Sequence, residues 1–113
     1  MEQKETRREV PIIIPSYEPD EKLPDLLKKL RETGFRNIVL VDDGSGEKYA
    51  GIFTEAETTY GCVVLHHAVN QGKGRALKTA FNFCLREFAD LPGVITADSD
   101  GQHSPEGILS CVD

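Results

Sequence analysis

Four short apolar runs recur along the chain, and polar or turn-forming residues follow each of them within a few positions. The runs are Val10–Ile14, Ile38–Val41, Cys62–Leu65 and Val94–Ile95. They are continuous rather than alternating and rich in β-branched residues, which is typical of parallel strands covered on both faces. We therefore predict four short buried strands.

The segments between these runs carry apolar residues at helical spacing. Leu23, Leu26, Leu27 and Leu30 fall on one side of a first helix, which Gly34 ends. A second helix is predicted from about Lys48 to Tyr60. The third and longest helix opens at a glycine-rich segment, residues 70–75, and ends before Leu91. The spacing thus predicts one helix in each connection between strands.

The predicted order β-α-β-α-β-α-β indicates the α/β class. We expect a Rossmann-like open, mostly parallel sheet with helices on both faces, built by right-handed crossovers. The charged residues 1–9 are expected to be a flexible N-terminal segment, and residues 10–113 to form one domain.

The unusual residues of the chain gather at the carboxyl ends of the predicted strands. They lie in segments 15–18, 42–43, 70–75 and 98–102. The carboxyl ends of parallel strands share one edge of the sheet, and ligands of open α/β sheets bind there. The sequence therefore predicts a ligand site at this edge.

Asp98 and Asp100 directly follow the fourth apolar run, one residue apart. In an extended segment, residues i and i+2 point to the same side, so both carboxylates can face one point. Two such charges repel unless a cation lies between them, and hard divalent cations take oxygen ligands. The alternative interpretation is a polar turn whose aspartates cap a helix.

The other candidates each have a functional and a structural interpretation. Tyr17 would stack on a flat base or simply anchor its loop. Asp42 and Asp43 would accept hydrogen bonds from a base or ribose, or else form a loop turn with Ser45.

The glycine-rich loop Gly72–Arg75 could bring backbone N–H groups and two cations against phosphates, although it is not a Walker loop. We interpret His66 and His67 as structural or solvated, because no cysteine lies at metal-ligand spacing from them. His103, beside the two carboxylates, is the better candidate for a functional histidine.

Composition narrows the class of protein. The 113 residues carry a net charge of −6, which argues against a nucleic-acid polymer as partner but not against a small anion held by a metal. Cys62, Cys84 and Cys111 are odd in number and are expected to be reduced and buried in a cytosolic protein. No signal peptide or membrane-length apolar run is present.

Four motifs in this order resemble family 2 glycosyltransferases with the GT-A fold. They are residues 10–17 (VPIIIPSY), 41–45 (VDDGS), 70–77 (NQGKGRAL) and 97–106 (ADSDGQHSPE). The resemblance covers nearly the whole chain after its first nine residues. It implies that Asp98 and Asp100 hold Mg²⁺ or Mn²⁺ against the diphosphate of a nucleotide-sugar, with Gln102 as a further ligand. It also makes Asp98 one of the residues that bind the nucleotide.

The same resemblance assigns base recognition to Pro15, Tyr17 and the pair Asp42–Asp43, with Asp43 favoured for the base contact. Lys73 and Arg75 would lie near the nucleotide. Many relatives have Tyr-Asn-Glu where this chain has Tyr17-Glu18-Pro19, so the contact of that family glutamate does not carry over to Pro19.

The family fold continues into an acceptor-binding half, which supplies the catalytic base. We therefore expect this chain to be the donor half of a longer enzyme that transfers sugar from a UDP- or GDP-linked donor, and to be inactive alone. Its Gly-Lys-Gly and Asp-x-Asp-Gly-Gln-His segments are similar to those of polyprenyl-phosphate glycosyltransferases, which points to a lipid phosphate or saccharide acceptor. The longer protein would be cytoplasmic or membrane-associated.

Two other classes of protein share parts of this pattern. The chain could be a non-catalytic nucleotide-binding or regulatory module, or a phosphoacceptor receiver domain; the latter needs a lysine at the end of a late strand that this chain lacks. For a donor half cut from the family fold, the sheet edge and apolar surface left exposed, together with a small core, predict self-association as a two-fold homodimer.

Overall fold

The computed structural model describes residues 9–88 and 93–97 of the chain. In these residues one parallel sheet has the strand order β3-β2-β1-β4. The strands are β1 (Ile12–Ser16), β2 (Ile38–Asp43), β3 (Val63–His67) and β4 (Ile95–Thr96). The α/β class and the parallel sheet predicted from the sequence are confirmed.

Three α-helices connect the strands. Helix α1 spans Lys22–Thr33, α2 spans Ala50–Thr58 and α3 spans Lys73–Glu87. A short 3₁₀ turn, Glu47–Tyr49, precedes α2, so this helix begins two residues later than predicted. Gly34 ends α1 in a left-handed conformation with φ of 108°, and its N–H reaches the carbonyls of Leu30 and Arg31, as expected for a glycine cap.

The strands differ from the prediction mainly at their polar ends. Pro15 was expected to end β1, but the strand continues to Ser16 in register with Asp42. A proline removes only one ladder donor, which a strand tolerates near its end. Likewise β2 runs through Asp42 and Asp43, which were expected to follow it, because these residues pair in register with His66 and His67 of β3.

The sheet is covered on both faces, as its continuous apolar strands predicted. Helices α1 and α2 pack on one face around Ile12, Ile14, Leu40 and Phe53. Helix α3 packs on the other face, where Ile13, Val39 and Val41 meet Ala76, Ala80 and Cys84. Burying such side chains stabilises the fold by roughly 25 cal/mol per Å² of apolar surface removed from water.

The topology places a crevice at the carboxyl edge. The chain moves outward from β1 to β2 to β3, and then returns to place β4 on the free side of β1. The strand order therefore reverses between β1 and β4, and this is the point where ligands bind in open α/β sheets.

Residues 1–8, most of the expected flexible segment, lie outside the described residues, and Glu9 contacts Arg36 through a 3.3 Å ion pair.

Arg31 joins three segments at the opposite, amino edge of the sheet. Its guanidinium donates to the carbonyl oxygens of Phe35 and Arg36, which precede β2. It also donates to the carbonyls of Tyr60 and Gly61, which precede β3, at 2.6 and 3.0 Å. One side chain thus satisfies four carbonyls at the end of the fold remote from the carboxyl edge.

Both cysteines of the described residues, Cys62 and Cys84, are free and buried, as expected. Burial raises the pKa of the Cys62 thiol to about 11, against the opposing effect of the Arg31 charge, and also raises the pKa of Cys84. Both thiols are therefore poor nucleophiles at neutral pH.

No helix in the described part of the chain is long and apolar enough to cross a membrane.

Candidate functional site

Asp43, the last residue of β2, has a buried carboxylate that accepts hydrogen bonds from four groups of its own chain. Its Oδ1 receives the Nδ1–H of His67 at 2.7 Å and the backbone N–H of Gln71 at 2.9 Å. Its Oδ2 receives the backbone N–H of Gly72 at 2.9 Å and the side-chain amide of Asn70 at 3.2 Å. The residue is only 3% exposed.

These contacts set the protonation of Asp43. Burial raises the pKa of its carboxyl, but the hydrogen bonds from His67, Gln71 and Gly72, together with the His67 charge, outweigh burial and hold the pKa below its ordinary value. The carboxylate is therefore ionised at neutral pH. A buried anion that accepts several N–H groups is a strong structural anchor.

His67 connects this carboxylate to helix α3. Its side chain is 8% exposed, and its Nε2 lies 2.8 Å from the hydroxyl of Thr79. Since Nδ1 donates to Asp43, Nε2 is left to pair with the Thr79 hydroxyl, which can accept from a charged ring or donate to a neutral one. Both ring nitrogens of His67 are thus engaged within the chain.

Gly44 brings the loop after β2 directly against the loop after β3. It has φ of +73°, and a Cβ there would overlap the backbone of Val69 and Asn70. Only glycine fits both the conformation and the close approach. The two loops are therefore fixed together by this contact as well as by Asp43.

Asp42 forms a second aspartate–histidine pair on the other face of the sheet. Its Oδ2 lies 2.9 Å from Nδ1 of His66, and its Oδ1 accepts the backbone N–H of Ser45 at 2.9 Å. The Ser45 hydroxyl in turn accepts the N–H of Glu18 at 2.8 Å. This series of bonds joins the end of β3, through β2, to the loop that carries Tyr17.

The two pairs differ in their access to solvent. The His66 side chain is 56% exposed and that of Asp42 is 12% exposed, whereas Asp43 and His67 are covered. Tyr17 is 50% exposed, as a residue that stacks on a ligand must be. Next to it, the buried hydroxyl of Ser16 has no hydrogen-bond partner among residues 9–88 and 93–97.

The glycine-rich loop begins α3 as predicted, with Gly72 as the residue before the helix and φ of 94°. The side chains of Lys73 and Arg75 are exposed at this end. The N–H of Gly72, one of the donors predicted to face phosphates, is instead bonded to Asp43. That donor already has a partner inside the protein.

Asp98, Asp100, Gln102 and His103 lie outside the described residues. The description ends at Ala97, whose N–H donates to the carbonyl of Ile13 at 3.1 Å. The segment from β4 to Ala97 therefore lies beside β1 up to the residue before Asp98. Within residues 9–88 and 93–97, no group of three or more His, Cys, Asp or Glu side chains could hold a metal ion.

A known family model matches nearly the whole chain. The model for glycosyl transferase family 2 matches residues 12–113. The chain belongs to glycosyltransferase family 2. The resemblance stated from the four motifs is thereby confirmed.

Members of this family with assigned activities are similar to most of the chain. It is 35% identical to undecaprenyl-phosphate 4-deoxy-4-formamido-L-arabinose transferase of Serratia proteamaculans, over 96% of this chain and 34% of that protein. It is 27% identical to UDP-N-acetylglucosamine–dolichyl-phosphate N-acetylglucosaminyltransferase of Methanococcus voltae, over 89% of this chain and 45% of that protein. The chain thus spans between a third and a half of these two relatives.

A solved structure has the same fold. The crystal structure of S. aureus TarS 1–349 in complex with UDP-GlcNAc superposes with a TM-score of 0.61 at 24% identity, over 91% of this chain and 30% of that one. The GT-A architecture expected for a family 2 chain is therefore present.

Sequence reasoning missed the role of the two histidines. His67 is structural, as interpreted, but neither histidine was linked to an aspartate. The available signal was that β2 and β3 each end in two adjacent polar residues, Asp42–Asp43 and His66–His67, which a parallel register places side by side.

Proposed function

We propose that this chain is the donor-binding half of a nucleotide-sugar-dependent glycosyltransferase. It would bind the nucleoside diphosphate of the donor at the carboxyl edge, and the complete protein would transfer the sugar to an acceptor. The observation that carries this proposal is the convergence of Tyr17, Asp42 and the Lys73–Arg75 end of α3 on that edge of a family 2 fold.

For the base and ribose, we propose contacts from Tyr17 and the Asp42–Asp43 pair. Tyr17 offers an exposed ring, and Asp42 retains lone pairs beside solvent that could accept from a base N–H or a ribose hydroxyl. Asp43 was favoured for the base contact, and this stays a prediction. Its four internal donors make Asp42 the better supported of the two for direct contact.

For the diphosphate, we propose a divalent cation, Mg²⁺ or Mn²⁺, held by Asp98 and Asp100 with Gln102 as a further ligand. The donor set fits such an ion, since two carboxylates and an amide oxygen are hard ligands. Strand β4 also lies beside β1 and leads into Asp98 at the proposed donor edge. When bound, the cation would neutralise charge that develops on the leaving diphosphate.

The protein's own residues would orient the donor. Tyr17 and Asp42 would fix the nucleoside, and Lys73 and Arg75 would lie near the phosphates as cations at a helix start. A saccharide acceptor would pass its hydroxyl proton to a carboxylate base outside the described residues, whereas a phosphate acceptor, already ionised at neutral pH, would attack through its oxygen without such a base. The alternative, a non-catalytic nucleotide-binding module, would share the first of these steps and lack the last.

Among donors, we favour a UDP-sugar. The Methanococcus relative is named for UDP-N-acetylglucosamine, and the similar TarS structure holds UDP-GlcNAc. For the acceptor we propose a polyprenyl phosphate, because both curated relatives are named for transfer to undecaprenyl or dolichyl phosphate. A GDP-linked donor remains the comparison to test.

The test is calorimetric titration of the chain with UDP and with GDP, in Mn²⁺ or in EDTA. We expect UDP to bind in Mn²⁺ and binding to fall at least about tenfold in EDTA, because the acidic chain repels a bare diphosphate. Asp100→Asn should lose the Mn²⁺ effect. Glu57→Gln removes the same charge from an exposed position on α2 and is the matched control. Equal affinity with and without cation would refute the metal site.

A further inference from the structure

The loop between β3 and α3 is held by one buried carboxylate, which acts on three consecutive residues. Asp43 accepts the side-chain amide of Asn70 and the backbone N–H groups of Gln71 and Gly72. Because Gly72 directly precedes α3, these bonds fix where the helix begins. They also fix the backbone that leads into Lys73.

The orientation of this carboxylate depends on His67. The His67 Nδ1 contact at 2.7 Å is the shortest of the four bonds to the Asp43 carboxylate. The ring itself is oriented by Thr79, the seventh residue of α3. The planar carboxylate of an aspartate can rotate broadly about its terminal side-chain torsion, and a donor fixed on a neighbouring strand removes that freedom.

We propose that His67 is a positioning residue of the donor site, which fixes Asp43 so that the loop Asn70–Gly72 and the start of α3 are already ordered before a nucleotide arrives. This inference rests on the proposed function. It assigns His67 no contact with the ligand, since its side chain is covered and both ring nitrogens have partners. Preordering a loop raises affinity by removing an ordering cost from the binding step.

Two substitutions separate the bonds of His67. Asparagine places its amide nitrogen near the position of Nδ1, so His67→Asn can still donate to Asp43 while it loses Thr79. Glutamine reaches toward the position of Nε2, so His67→Gln can still reach Thr79 while it leaves Asp43 without its closest donor. The proposal predicts a large effect for glutamine and a small one for asparagine.

The experiment measures the affinity of the 113-residue chain for UDP with Mn²⁺. We expect His67→Gln to weaken binding about tenfold, the usual scale for losing one hydrogen bond to a charged group, and His67→Asn to stay within about threefold of the wild type. The control is Arg31→Lys, which weakens the fold at the amino edge. It should lower the melting temperature without changing UDP affinity.

A second readout needs no ligand. Residue-resolved amide hydrogen exchange should show faster exchange at Gln71 and Gly72 in His67→Gln than in the wild type, and recovery in His67→Asn. The inference is overturned if these two amides exchange equally in all three proteins, or if His67→Gln binds UDP as well as the wild type does. If the wild type binds neither UDP nor GDP in any cation, the proposed function fails and the inference falls with it, whatever the exchange rates; if it binds GDP alone, the same comparison is made with GDP.

Discussion

Replacement of Asp43 by asparagine is the sharpest test of how the carboxyl edge is built. The carboxylate accepts two hydrogen bonds at each oxygen, from His67 and Gln71 at one and from Gly72 and Asn70 at the other. An asparagine has only one acceptor oxygen, and its NH₂ group must face one of these donor pairs. At least one backbone N–H then loses its partner.

The size of the effect follows from that count. Losing a hydrogen bond to a charged acceptor costs about 1.5–3 kcal/mol, and a buried N–H left unpaired costs about 1–3 kcal/mol. Asn70 can rotate its amide, and Gln71 is exposed, so water relieves part of the cost. We therefore expect Asp43→Asn to lower the free energy of unfolding by about 2 kcal/mol, a large share of the roughly 5–15 kcal/mol of an ordinary domain.

The loss should also depend on pH, with a sign set by the depressed pKa of Asp43. A carboxyl whose pKa is lower in the folded than in the unfolded protein adds stability above its unfolded value of about 3.8, and that stability is lost as pH falls through the folded pKa. The gap between wild type and Asp43→Asn should therefore be full at neutral pH. It should narrow as the pH is lowered below about 4.

Urea unfolding at several pH values measures this gap, with Asp25→Asn as the control because Asp25 lies exposed in the first turn of α1. The control should change the free energy of unfolding by at most about 1 kcal/mol. A gap for Asp43→Asn of less than about 1 kcal/mol at neutral pH, or one that does not change down to pH 3, would refute the assignment of Asp43 as the anchor.

Three further predictions follow from other parts of the fold. Gly44→Ala should destabilise the chain by about 2–4 kcal/mol in thermal unfolding, because its φ is positive and a Cβ meets the next loop; an effect under about 1 kcal/mol would contradict this. Arg31→Ala should lower the free energy of unfolding by about 2 kcal/mol, and Arg31→Lys by about half of that, since a lysine cannot donate hydrogen bonds to four carbonyls at once. The chain should dimerise in light scattering, through the outer edge of β3, which has no neighbouring strand among the described residues, or through apolar surface such as Leu85, 71% exposed; a monomer mass at high concentration would argue against it.

The strands and helices could be predicted because their apolar patterns are local. Ile12 to Ile14 and Ile38 to Val41 are uninterrupted apolar runs, and the leucines of α1 repeat at helical spacing, so a short window holds the whole signal. The boundaries failed where strand residues are polar. Asp42, Asp43, His66 and His67 resemble loop residues locally, and only their pairing across β2 and β3 makes them strand residues.

The sequence predicted where the candidate site lies, but not which groups form hydrogen bonds with its residues. Topology alone places Tyr17, Asp42, Asp43 and the glycine-rich loop on one edge. Which donors Asp43 takes depends on residues 24 to 29 positions away in the chain, and on the close approach that Gly44 permits. No local pattern encodes such a distance, so the capture of Asp43 by its own chain could not be inferred from the aspartate pair.

The two aspartate–histidine pairs explain how one strand could set the geometry of the whole edge. Asp42 and Asp43 are consecutive in β2, so their side chains leave opposite faces of the sheet. Asp42 is connected by hydrogen bonds through Ser45 to the loop after β1, and Asp43 accepts hydrogen bonds from the loop before α3.

The separation between these two loops is therefore fixed by the pleat of a buried strand rather than by contacts between the loops and solvent. A donor that spans from Tyr17 to Lys73 would meet a spacing determined before binding. Because the pairs lie on different faces, substitution of His66 should loosen mainly the Tyr17 loop and substitution of His67 mainly the glycine-rich loop, although the Gly44 contact links the loop after β2 to Val69 and Asn70. Coupled loss of order in both loops from either substitution would mean that β2 itself, and not the individual pairs, holds the edge together.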